Sequence, residues 1–449
     1  MKLSCLKSTI LIFLLLVQVC AIGHAETKPG IVNRELTKEE MGIPTWRYQP
    51  GISMMRDRQV DLPSPLKKPV IEWSSSELNG WFTDDVFIDR EGCTWFCTTK
   101  GLLSGLHLIR LDPKGKERCD KAYPFTVVRL IPVMMTNGAI LVYKEYRYGS
   151  DPRIECLDYN GNTIWQTEAN FPCFFKPHRI SDNRFMVDTY RDGCYHKVFS
   201  LSDGSKISNM IMEPQNITYS GLGPIELPNG GWINYPKRER KESRLFKCYD
   251  ADFSLVWSLE VDNQIIAFDP ILFGKDIFLV GGSDRRDMKA QLLAVDVETG
   301  EKLWEFNEEC YYSPLGVTPA GNAVVYTSKG DGVNYMALFI TKDGNIKSSV
   351  ALPGEHVGRN FDLVIFNDGN CLFSHVKGLT LFNDTGIIWS LTNKEFGFSE
   401  EYSFRDWSVN PSPDGRLVVF CTVRGDPQNA ASKTLPEITK IFSFAQPSD

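Results

Sequence analysis

Short apolar runs separated by polar turn residues make up most of this chain. Residues 264–306 contain one complete set, with apolar runs at 265–272, 277–280, 291–295 and 301–306. Apolar runs of about four to eight residues, bounded by Gly, Asn or Asp, are typical of β-strands. The pattern predicts four short antiparallel strands in this unit, with a polar connection at 281–287 and a turn at 298–300. No helical apolar period lasting more than two turns occurs along the sequence.

The same unit repeats along the chain, as two series of landmarks show. The first series consists of hairpin residues that lie 44 to 48 positions apart: Gly92, Gly138, Asn183, Gly230, Gly274, Gly321, Gly369 and Gly415. The second series consists of Trp73, Trp165, Trp257, Trp304 and Trp389, with skipped copies near Cys119, Ser208 and Ser348. A repeat of this length that contains several short strands is typical of a β-propeller. Both series predict an all-β fold, an eight-bladed β-propeller of four-stranded antiparallel blades.

The last blade is predicted to be completed by the N-terminal part of the chain. Candidate strands around 403–409, 416–423 and 439–444 leave this blade without a fourth strand, whereas 70–73 has the pattern of a fourth strand that precedes any complete unit. Pairing of 70–73 with 439–444 would remove an open sheet edge, which would otherwise favour aggregation. We therefore predict a propeller domain over 70–449, closed by its N-terminal strand and preceded by an extended lead-in over 26–69.

A recurring motif makes the resemblance to one family specific. The stretch from Ala294 to Trp304 matches in full the pattern A-x-D-x-x-T-G-x-x-x-W, with Asp296 and Gly300 at its polar and glycine positions. Partial copies occur at 157–165, 249–257 and 382–389, the first with Gly161 and the last with Gly386. The pattern resembles the tryptophan-docking repeat of the quinoprotein-like (PQQ-like) propellers. The resemblance implies that each outer-strand tryptophan packs against the next blade in a girdle, so we expect Trp304 to be buried.

The first 25 residues have the features of a secretory signal peptide. Two lysines precede an apolar run over 8–17, and small residues end the segment at Ala25. An uncleaved anchor and a lipid on Cys20 are the alternatives. The apolar run is short for a membrane helix, and Val19 is a poor match to the small residue of a lipobox. We expect cleavage after Ala25 and an exported protein, periplasmic or extracellular; the lead-in that ends at Trp73 also resembles that of secreted family members.

Charge and cysteine usage exclude two classes of function. The chain has 49 Lys and Arg against 56 Asp and Glu, a formal net charge of −7, whereas sequence-independent nucleic-acid binding needs a basic face. The cysteines include no CxxC pair that would indicate a zinc site. Cys156 and Cys248 each lie nine residues before a repeat tryptophan, so they occupy equivalent sites that are too far apart for a disulfide. We expect buried thiols, and disulfide pairing elsewhere stays open.

Residues with evident chemistry are sparse. Enzymatic members of the family hold pyrroloquinoline quinone and calcium above the central channel, so the resemblance makes these the candidate cofactors. This chain has no adjacent cysteine pair, is shorter than those enzymes, and offers no numbered position for their cofactor residues. No cofactor, metal site or catalytic residue is therefore evident. Five histidines follow the cleavage site, are not spaced as a metal pair, and are expected at the surface or at blade edges: His107, His178, His196, His356 and His375.

Two classes of function stay open. The first is an exported, monomeric binding or scaffold module that holds a protein or polysaccharide on a propeller face. In architecture it is similar to the periplasmic propeller subunit of the outer-membrane β-barrel assembly machinery. The second is an enzyme that uses the channel face, either a pyrroloquinoline-quinone-dependent dehydrogenase or a carbohydrate-active enzyme. A cluster of carboxylates or histidines over the channel would favour the enzyme, and an apolar rim would favour the binding module.

Overall fold

The computed structural model describes the following residues: 59–60, 62–76, 78, 86–99, 105–134, 139–146, 152–168, 178–181, 184–189, 195–211, 225–227, 229, 231–234, 244–250, 254–261, 266–267, 271–273, 276–283, 290–308, 310–329, 335–353, 363–425 and 435–447. All of them belong to one compact unit, Glu35–Asp449. The predicted signal peptide and residues 26–58 of the lead-in lie outside the described residues, and so do the predicted hairpin residues Gly138, Asn183, Gly230 and Gly274. Within the described ranges no helix is long and apolar enough to cross a membrane.

The described residues form strands and turns, with no helix among them. Two N-terminal strands come first, β1 (Gln59–Val60) and β2 (Val70–Ser74). Four sheets follow in chain order: sheet 1 with β3 (Phe87–Ile88), β4 (Thr94–Thr99), β5 (Leu106–Leu111) and β6 (Glu117–Ala122); sheet 2 with β7 (Val127–Met134), β8 (Ile140–Tyr146), β9 (Arg153–Leu157) and β10 (Thr163–Glu168); sheet 3 with β11 (His178–Ser181), β12 (Arg184–Thr189), β13 (Tyr195–Ser200) and β14 (Lys206–Ile211); sheet 4 with β15 (Ile225–Glu226), β16 (Trp232–Asn234), β17 (Arg244–Tyr249) and β18 (Leu255–Val261).

Four further sheets complete the described part of the chain. They are sheet 5 with β19 (Ile266–Ala267), β20 (Ile271–Phe273), β21 (Ile277–Ser283), β22 (Ala290–Asp296) and β23 (Lys302–Glu308); sheet 6 with β24 (Cys310–Val317), β25 (Ala323–Lys329), β26 (Tyr335–Ile340) and β27 (Ile346–Leu352); sheet 7 with β28 (Leu363–Phe366), β29 (Cys371–His375), β30 (Gly378–Asn383) and β31 (Gly386–Thr392); and sheet 8 with β32 (Tyr402–Pro411), β33 (Leu417–Gly425) and β34 (Ile438–Ala445). Sheet 7 also contains β1, and sheet 8 also contains β2.

Sheet 5 contains the second, third and fourth strands that were predicted from its sequence, whereas the predicted first strand over 265–272 is described as two short strands, β19 and β20. Its strands β21, β22 and β23 pair antiparallel in chain order, and both β19 and β20 pair with β21. One boundary was wrong, because β21 continues to Ser283 through two glycines that the sequence placed in the polar connection. Gly281 and Gly282 pair with Leu292 and Gln291 of β22. The missing side chains do not prevent ladder pairing, so the backbone partner decides this boundary rather than the local composition.

The outermost strand of all eight sheets carries the same bulge. The residue at each repeat position pairs with the third strand, and the residue before it has no partner in the ladder. The pairs are Trp73 with Ser443, Cys119 with Arg110, Trp165 with Cys156, Ser208 with Val198, Trp257 with Cys248, Trp304 with Ala294, Ser348 with Phe339, and Trp389 with Leu381. Cys119, Ser208 and Ser348 therefore stand where the tryptophan series skips a copy, as the period predicted.

The two ends of the chain meet in sheets 7 and 8. The predicted pairing of the N-terminal strand is confirmed: β2 runs antiparallel to β34, with Val70 opposite Ala445. The lead-in also pairs, which its sequence did not indicate, because β1 runs parallel to β28. Val60 is buried there, and both the backbone N–H and the hydroxyl of Ser64 donate to Asp368 Oδ2 (3.0 and 2.6 Å). Residues 59–74 thus hold sheets 7 and 8 together.

Apolar side chains pack between neighbouring sheets. One such cluster lies between sheets 7 and 8, where the Phe396 ring contacts Phe404, Phe442 and Phe444 with centroids 5.0 to 5.1 Å apart. Another cluster joins residues of sheet 1 with Val418, Phe420 and Ile441 of sheet 8. The first and the last sheets in the sequence are therefore in direct contact.

Candidate functional site

Tryptophans of the outermost strands contact the turn that precedes the outermost strand of the following sheet. Their indole N–H groups donate to backbone carbonyls of that turn: Trp73 to Pro113 (3.0 Å), Trp165 to Leu201 (3.2 Å), Trp257 to Val297 (2.8 Å) and Trp304 to Lys342 (2.7 Å). Each turn has a glycine at positive φ, where a Cβ would lie 2.5 to 2.9 Å from the ring: Gly115, Gly204, Gly300 and Gly344. A residue with a Cβ would be strained at this positive φ and would also clash with the ring, so the turn requires glycine wherever it contacts a tryptophan.

The full motif in sheet 5 shows how the turn is held. Asp296 Oδ1 accepts hydrogen bonds from the backbone N–H groups of Glu298 (3.0 Å) and Thr299 (2.8 Å). These bonds form an Asx turn, which fixes the chain between Asp296 and Gly300. The carbonyl of Val297 is thereby aimed at Trp257.

Three other junctions whose contacts are described depart from this arrangement. At Gly161, a Cβ would lie 2.5 Å from the sulfur of Cys119, whose thiol donates to the carbonyl of Asn160 (3.3 Å). At Gly386, no described atom lies within 4 Å of the position that a Cβ would take. Trp389 donates to the carbonyl of Pro65 (2.6 Å). The lead-in supplies this acceptor because β34 and β2 come from opposite chain ends, so no hairpin turn joins them.

Burial differs among these tryptophans. Trp165, Trp257 and Trp389 are buried, whereas Trp73 and Trp304 are half-buried. The expectation that Trp304 is buried was therefore wrong, although its motif is the most complete. Its hydrogen bond to the next sheet is present, so the motif specifies the docking contact and leaves the degree of burial to the surrounding side chains.

Exposed aliphatic side chains lie on the outermost strands of sheets 3 to 8. We call this set the apolar rim: Val70, Ile71, Ile207, Leu255, Val256, Leu303, Ile346, Ile387 and Ile388. Four of these nine residues are the unpaired bulge residues, namely Ile207, Val256, Leu303 and Ile388, and the other five are paired in the ladder next to the bulge. Sheets 1 and 2 differ, since β6 and β10 expose polar side chains: Glu117, Arg118, Asp120, Gln166 and Glu168.

The apolar rim was missed at the sequence level, although a signal for it exists. Aliphatic residues directly precede the tryptophan in Leu255-Val256-Trp257 and in Ile387-Ile388-Trp389. Successive residues of a strand point to opposite faces, so three consecutive apolar residues in an outermost strand cannot all be buried. This inference requires that the strand be known to be outermost, which the repeat position of the tryptophan indicates.

Comparison with solved structures shows which fold these sheets belong to. The Dos1 propeller is similar to this chain with a TM-score of 0.52 and 10% sequence identity, over 86% of this chain and 97% of that chain. This chain has a β-propeller fold. BamB from Moraxella catarrhalis (TM-score 0.37, 16% identity, 76% of this chain and 97% of that chain) and the dihydro-heme d1 dehydrogenase NirN (0.47, 13%, 93% and 82%) are further matches. No protein-family model and no curated protein matches the chain, so the quinoprotein-like family stays a prediction.

Charged side chains hold sheets 1 and 2 of the propeller together. Glu155 is buried and lies 3.2 Å from both Lys121 and Lys144, and the Tyr123 hydroxyl donates to its Oε2 (3.1 Å). Burial acts to raise the pKa of Glu155, but the hydrogen bond from Thr163 and the two lysines outweigh burial and lower that pKa. Burial lowers the pKa of Lys144. Lys121 and Tyr123 contact Glu155 across the sheet junction, and Lys144 contacts it within sheet 2, so the acid and both amines are paired and act as a structural contact.

A similar pairing occurs around Arg110 in sheet 1. Its guanidinium bonds to Asp89 (2.7 Å) and Glu91 (2.5 Å) and lies over the ring of Tyr159 in sheet 2 (5.2 Å). The Trp95 indole donates to the same Asp89 carboxylate (2.8 Å). Asp89 is fully buried, and its carboxylate accepts hydrogen bonds from both Arg110 and Trp95. The pair was not evident from the sequence, because its members are 21 positions apart.

His375 corrects the expectation that every histidine lies at the surface or at an edge. It is buried in β29, with Nε2 3.0 Å from the Thr380 hydroxyl, and burial lowers its pKa to about 4. The other described histidine side chain, His107, pairs with Asp120 (2.7 Å). Among the described residues, neither ring faces a second histidine.

Within the described ranges, no three His, Cys, Asp or Glu side chains come together as a metal-binding group, so no ligand set for calcium can be named. Cys156, Cys248, Cys371 and Cys421 are buried thiols, and burial raises the pKa of each. Such thiols are poor nucleophiles and behave as small apolar side chains.

Proposed function

We propose that this chain is an exported, eight-bladed β-propeller that serves as a binding module for a protein partner. The apolar rim is the observation that carries the proposal. Exposed apolar surface on a soluble protein is typical of interaction sites, and the rim side chains occur on six of the eight outermost strands. The polar side chains of β6 and β10 indicate that the fold does not need aliphatic residues at these positions.

The chemistry of the rim favours a protein over a polysaccharide. Its members are Ile, Leu and Val, which gain stability by contact with apolar side chains. Binding of sugars commonly uses exposed aromatic faces together with polar groups that bond hydroxyls. The charged residues beside the rim, such as Lys302 and Glu305, match the polar border that surrounds the apolar centre of protein interfaces.

The eight-bladed, closed architecture is part of the proposal. It is supported by the shared bulge of the eight described sheets and by contacts between the first and last of them. Arg416 of sheet 8 donates to the carbonyls of Pro113 and Gly92 in sheet 1 (2.5 and 3.3 Å), and Trp73 shares the Pro113 acceptor. A cryo-EM or crystallographic map with seven sheets around the axis would contradict the count.

Site-specific photo-crosslinking in the native host tests the binding function. Benzoylphenylalanine placed at Val256 or Leu303 is expected to yield a discrete crosslinked protein, because these residues lie on the apolar rim. The same group at Glu117 or Gln166, on the polar outermost strands, serves as the matched control and is expected to yield none. Equal crosslinking from both sets, or none from either, would contradict the proposal.

The proposed export is tested separately. N-terminal sequencing of the mature protein is expected to begin at Glu26, since Ala25 ends the predicted signal peptide. Recovery of an intact Met1 in the membrane fraction, or of a lipid on Cys20, would show that the segment is an anchor.

A further inference from the structure

Sheet 7 contains one strand more than its repeat unit requires. Strands β28 to β31 already form the four-stranded arrangement of sheets 1 to 4 and 6, and β1 lies beyond β28, at the edge opposite the outermost strand. In the other sheets of the described part of the chain, no further strand lies beyond the strand that corresponds to β28. A sheet edge is a row of backbone donors and acceptors that can pair with an added strand. The blade is therefore complete without β1, which occupies an edge that could accept another segment.

The segment on this edge is bound in the way that an added peptide strand is bound. We call residues 59–64 the resident segment, of which all but Asp61 are described. Its backbone pairs with β28, Val60 is buried in the apolar cluster between sheets 7 and 8, and Leu62 packs against the same cluster. Pro63 is exposed. Backbone pairing along an edge, with alternate side chains held by the protein, is typical of peptide recognition by strand addition.

A hydrogen-bonded serine ends the resident segment. The backbone N–H and the hydroxyl of Ser64 donate to Asp368 Oδ2 (3.0 and 2.6 Å), and the same hydroxyl accepts a hydrogen bond from Asn370 Nδ2 (2.8 Å). The carbonyl of Leu62 accepts a hydrogen bond from the backbone N–H of Asn367 (3.1 Å). These partners belong to the turn between β28 and β29. The turn therefore favours a hydroxyl side chain two residues after the second aliphatic side chain.

We propose that the edge of β28 and the turn over 367–370 form a binding site for an extended segment of a partner protein, which displaces the resident segment. The partner segment has an aliphatic side chain, a second one two residues later, and a serine or threonine two residues after that. The site is separate from the apolar rim. The inference therefore goes beyond the proposed function and does not depend on it.

The resident segment can leave this site without opening the sheets. The contacts that complete sheet 8 come later in the sequence: the carbonyl of Pro65 accepts the indole hydrogen bond of Trp389, and β2 pairs with β34. In addition, β1 pairs with only the last two of the four residues of β28. A partner segment that also pairs with Val364 would make backbone hydrogen bonds that β1 does not make among the described residues.

A segment of a foreign protein is favoured over the same segment of a second copy. In each copy, the resident segment is tethered beside its own edge of β28, so it binds that edge at a high effective concentration. A second copy would have to give up this intramolecular pairing, whereas a foreign segment has no such edge of its own. The resident segment is thus a built-in competitor, and the site opens to partners that make more contacts than it does.

Fluorescence anisotropy on the full chain tests the site with a defined probe. The probe is a labelled peptide with the sequence of residues 59–64, Gln-Val-Asp-Leu-Pro-Ser, and the control peptide has aspartate at both aliphatic positions. Val60→Asp in the chain places a charge beside the apolar cluster and is expected to release the resident segment. The probe should then bind this variant about tenfold more tightly than the unchanged chain, because more of the edge is open. Equal affinities of the two chains, equal binding of both peptides, or no binding to a folded Val60→Asp variant would overturn the proposal.

Two further substitutions keep the test decisive if Val60→Asp does not fold. Ser64→Ala removes the hydroxyl hydrogen bonds of the resident segment without burying a charge, so it is expected to increase the affinity for the probe by a smaller factor. Adding Asp368→Ala removes the acceptor for the serine of the probe and is expected to weaken binding several-fold. An affinity that Asp368→Ala leaves unchanged would refute the turn as part of the site.

A photo-reactive probe locates the bound peptide and identifies the occupant. Photo-leucine at the leucine position of the probe is expected to crosslink to residues 363–373, and crosslinks confined to the apolar rim would overturn the proposal. Rim crosslinking from Val256 and Leu303 is measured separately, so failure of the proposed function leaves this inference standing. If the unchanged chain dimerises with increasing concentration and Val60→Asp does not, the occupant is a second copy of this chain, and the foreign partner is refuted.

Discussion

Trp257 and Trp304 occupy the same register position, yet their side chains differ in solvent exposure. Trp257 is 8% exposed and belongs to the cluster between sheets 4 and 5. Trp304 only borders its cluster and packs edge-on against Phe306 (5.5 Å). The hydrophobic contribution of a side chain follows the apolar area removed from water. Equal sequence motifs therefore do not imply equal contributions to the free energy of unfolding.

The tryptophan substitutions give a direct test at this scale. Trp257→Ala is expected to lower the free energy of unfolding by about 3–5 kcal/mol, because it leaves a cavity between two sheets. Trp304→Ala is expected to have about half that effect. Urea unfolding of both variants measures the difference, and equal losses would show that half-exposed docking contributes as much as full burial.

Stability against pH should reveal the buried histidine. The folded-state pKa of His375 is about 4, below the ordinary value near 6.5, so between these values the unfolded chain binds a proton that the folded chain does not. Stability is then intact above about pH 6.5 and falls with decreasing pH, by about 3 kcal/mol in total at pH 4. His375→Gln, which does not titrate, is expected to flatten this slope. Equal slopes in the two proteins would contradict it.

The lower limit of the pH range for this measurement is set by the carboxylate of Glu395. Burial acts against ionisation of Glu395, but hydrogen bonds from Lys68 and Thr392 dominate and lower its pKa to about 2. Its contribution is present above the ordinary pKa and is lost as the pH falls towards 2. The two slopes should therefore be compared between pH 6.5 and about 4.5, where the histidine dominates.

At the scale of the element, each tryptophan acts as one unit with the turn whose carbonyl accepts its indole hydrogen bond. We call this turn the docking turn. The glycines of the docking turns have positive φ and also face an indole. Gly415, in the first hairpin of sheet 8, has φ +82°, and no described atom lies within 4 Å of the place that its Cβ would take. The two kinds of position separate backbone strain from steric contact. The sequence distinguishes the two glycines by their place in the repeat, but it does not show which side chain each of them contacts.

Alanine at the two kinds of glycine should therefore have unequal effects. Gly415→Ala is expected to cost about 1–2 kcal/mol from left-handed backbone strain alone. Gly300→Ala adds a Cβ 2.7 Å from Trp257 and is expected to cost several times as much. Combining Gly300→Ala with Trp257→Ala should then cost less than the sum of the single changes. Additive losses in thermal unfolding would show that the contact is not shared.

The elements that were predicted and those that were missed differ in one physical respect. Period, turn chemistry and the register position of Cys119, Ser208 and Ser348 depend on local sequence and could be predicted. The pairing of β1 with β28, the Arg110–Asp89 pair and the burial of His375 depend on neighbours that are distant or on the opposite strand. The apolar rim lies between these cases, since its residues are local but their exposure depends on the bulge.

At the scale of the whole molecule, residues 59–74 connect sheets 7 and 8, because β1 pairs with β28 and β2 pairs with β34. Deleting 26–75 removes both β1 and β2 and leaves the edge of β34 open around Ile441 and Phe444, so aggregation is expected. Deleting 26–58 keeps both strands and is expected to leave a monomer with nearly unchanged Tm. Size-exclusion chromatography and thermal unfolding distinguish the two, and equal behaviour would show that β2 is dispensable.

The position of β2 beside β34 also constrains when the protein reaches its native state. β2 is synthesised long before β34, so sheet 8 cannot be completed until synthesis delivers residues near Ala445. Contacts between residues so far apart in sequence form slowly, and partly folded chains with unpaired strands aggregate. Exit from the ribosome therefore sets the earliest time at which sheet 8 can fold, and a helper protein that shields 70–74 during that delay would increase the yield of native molecules.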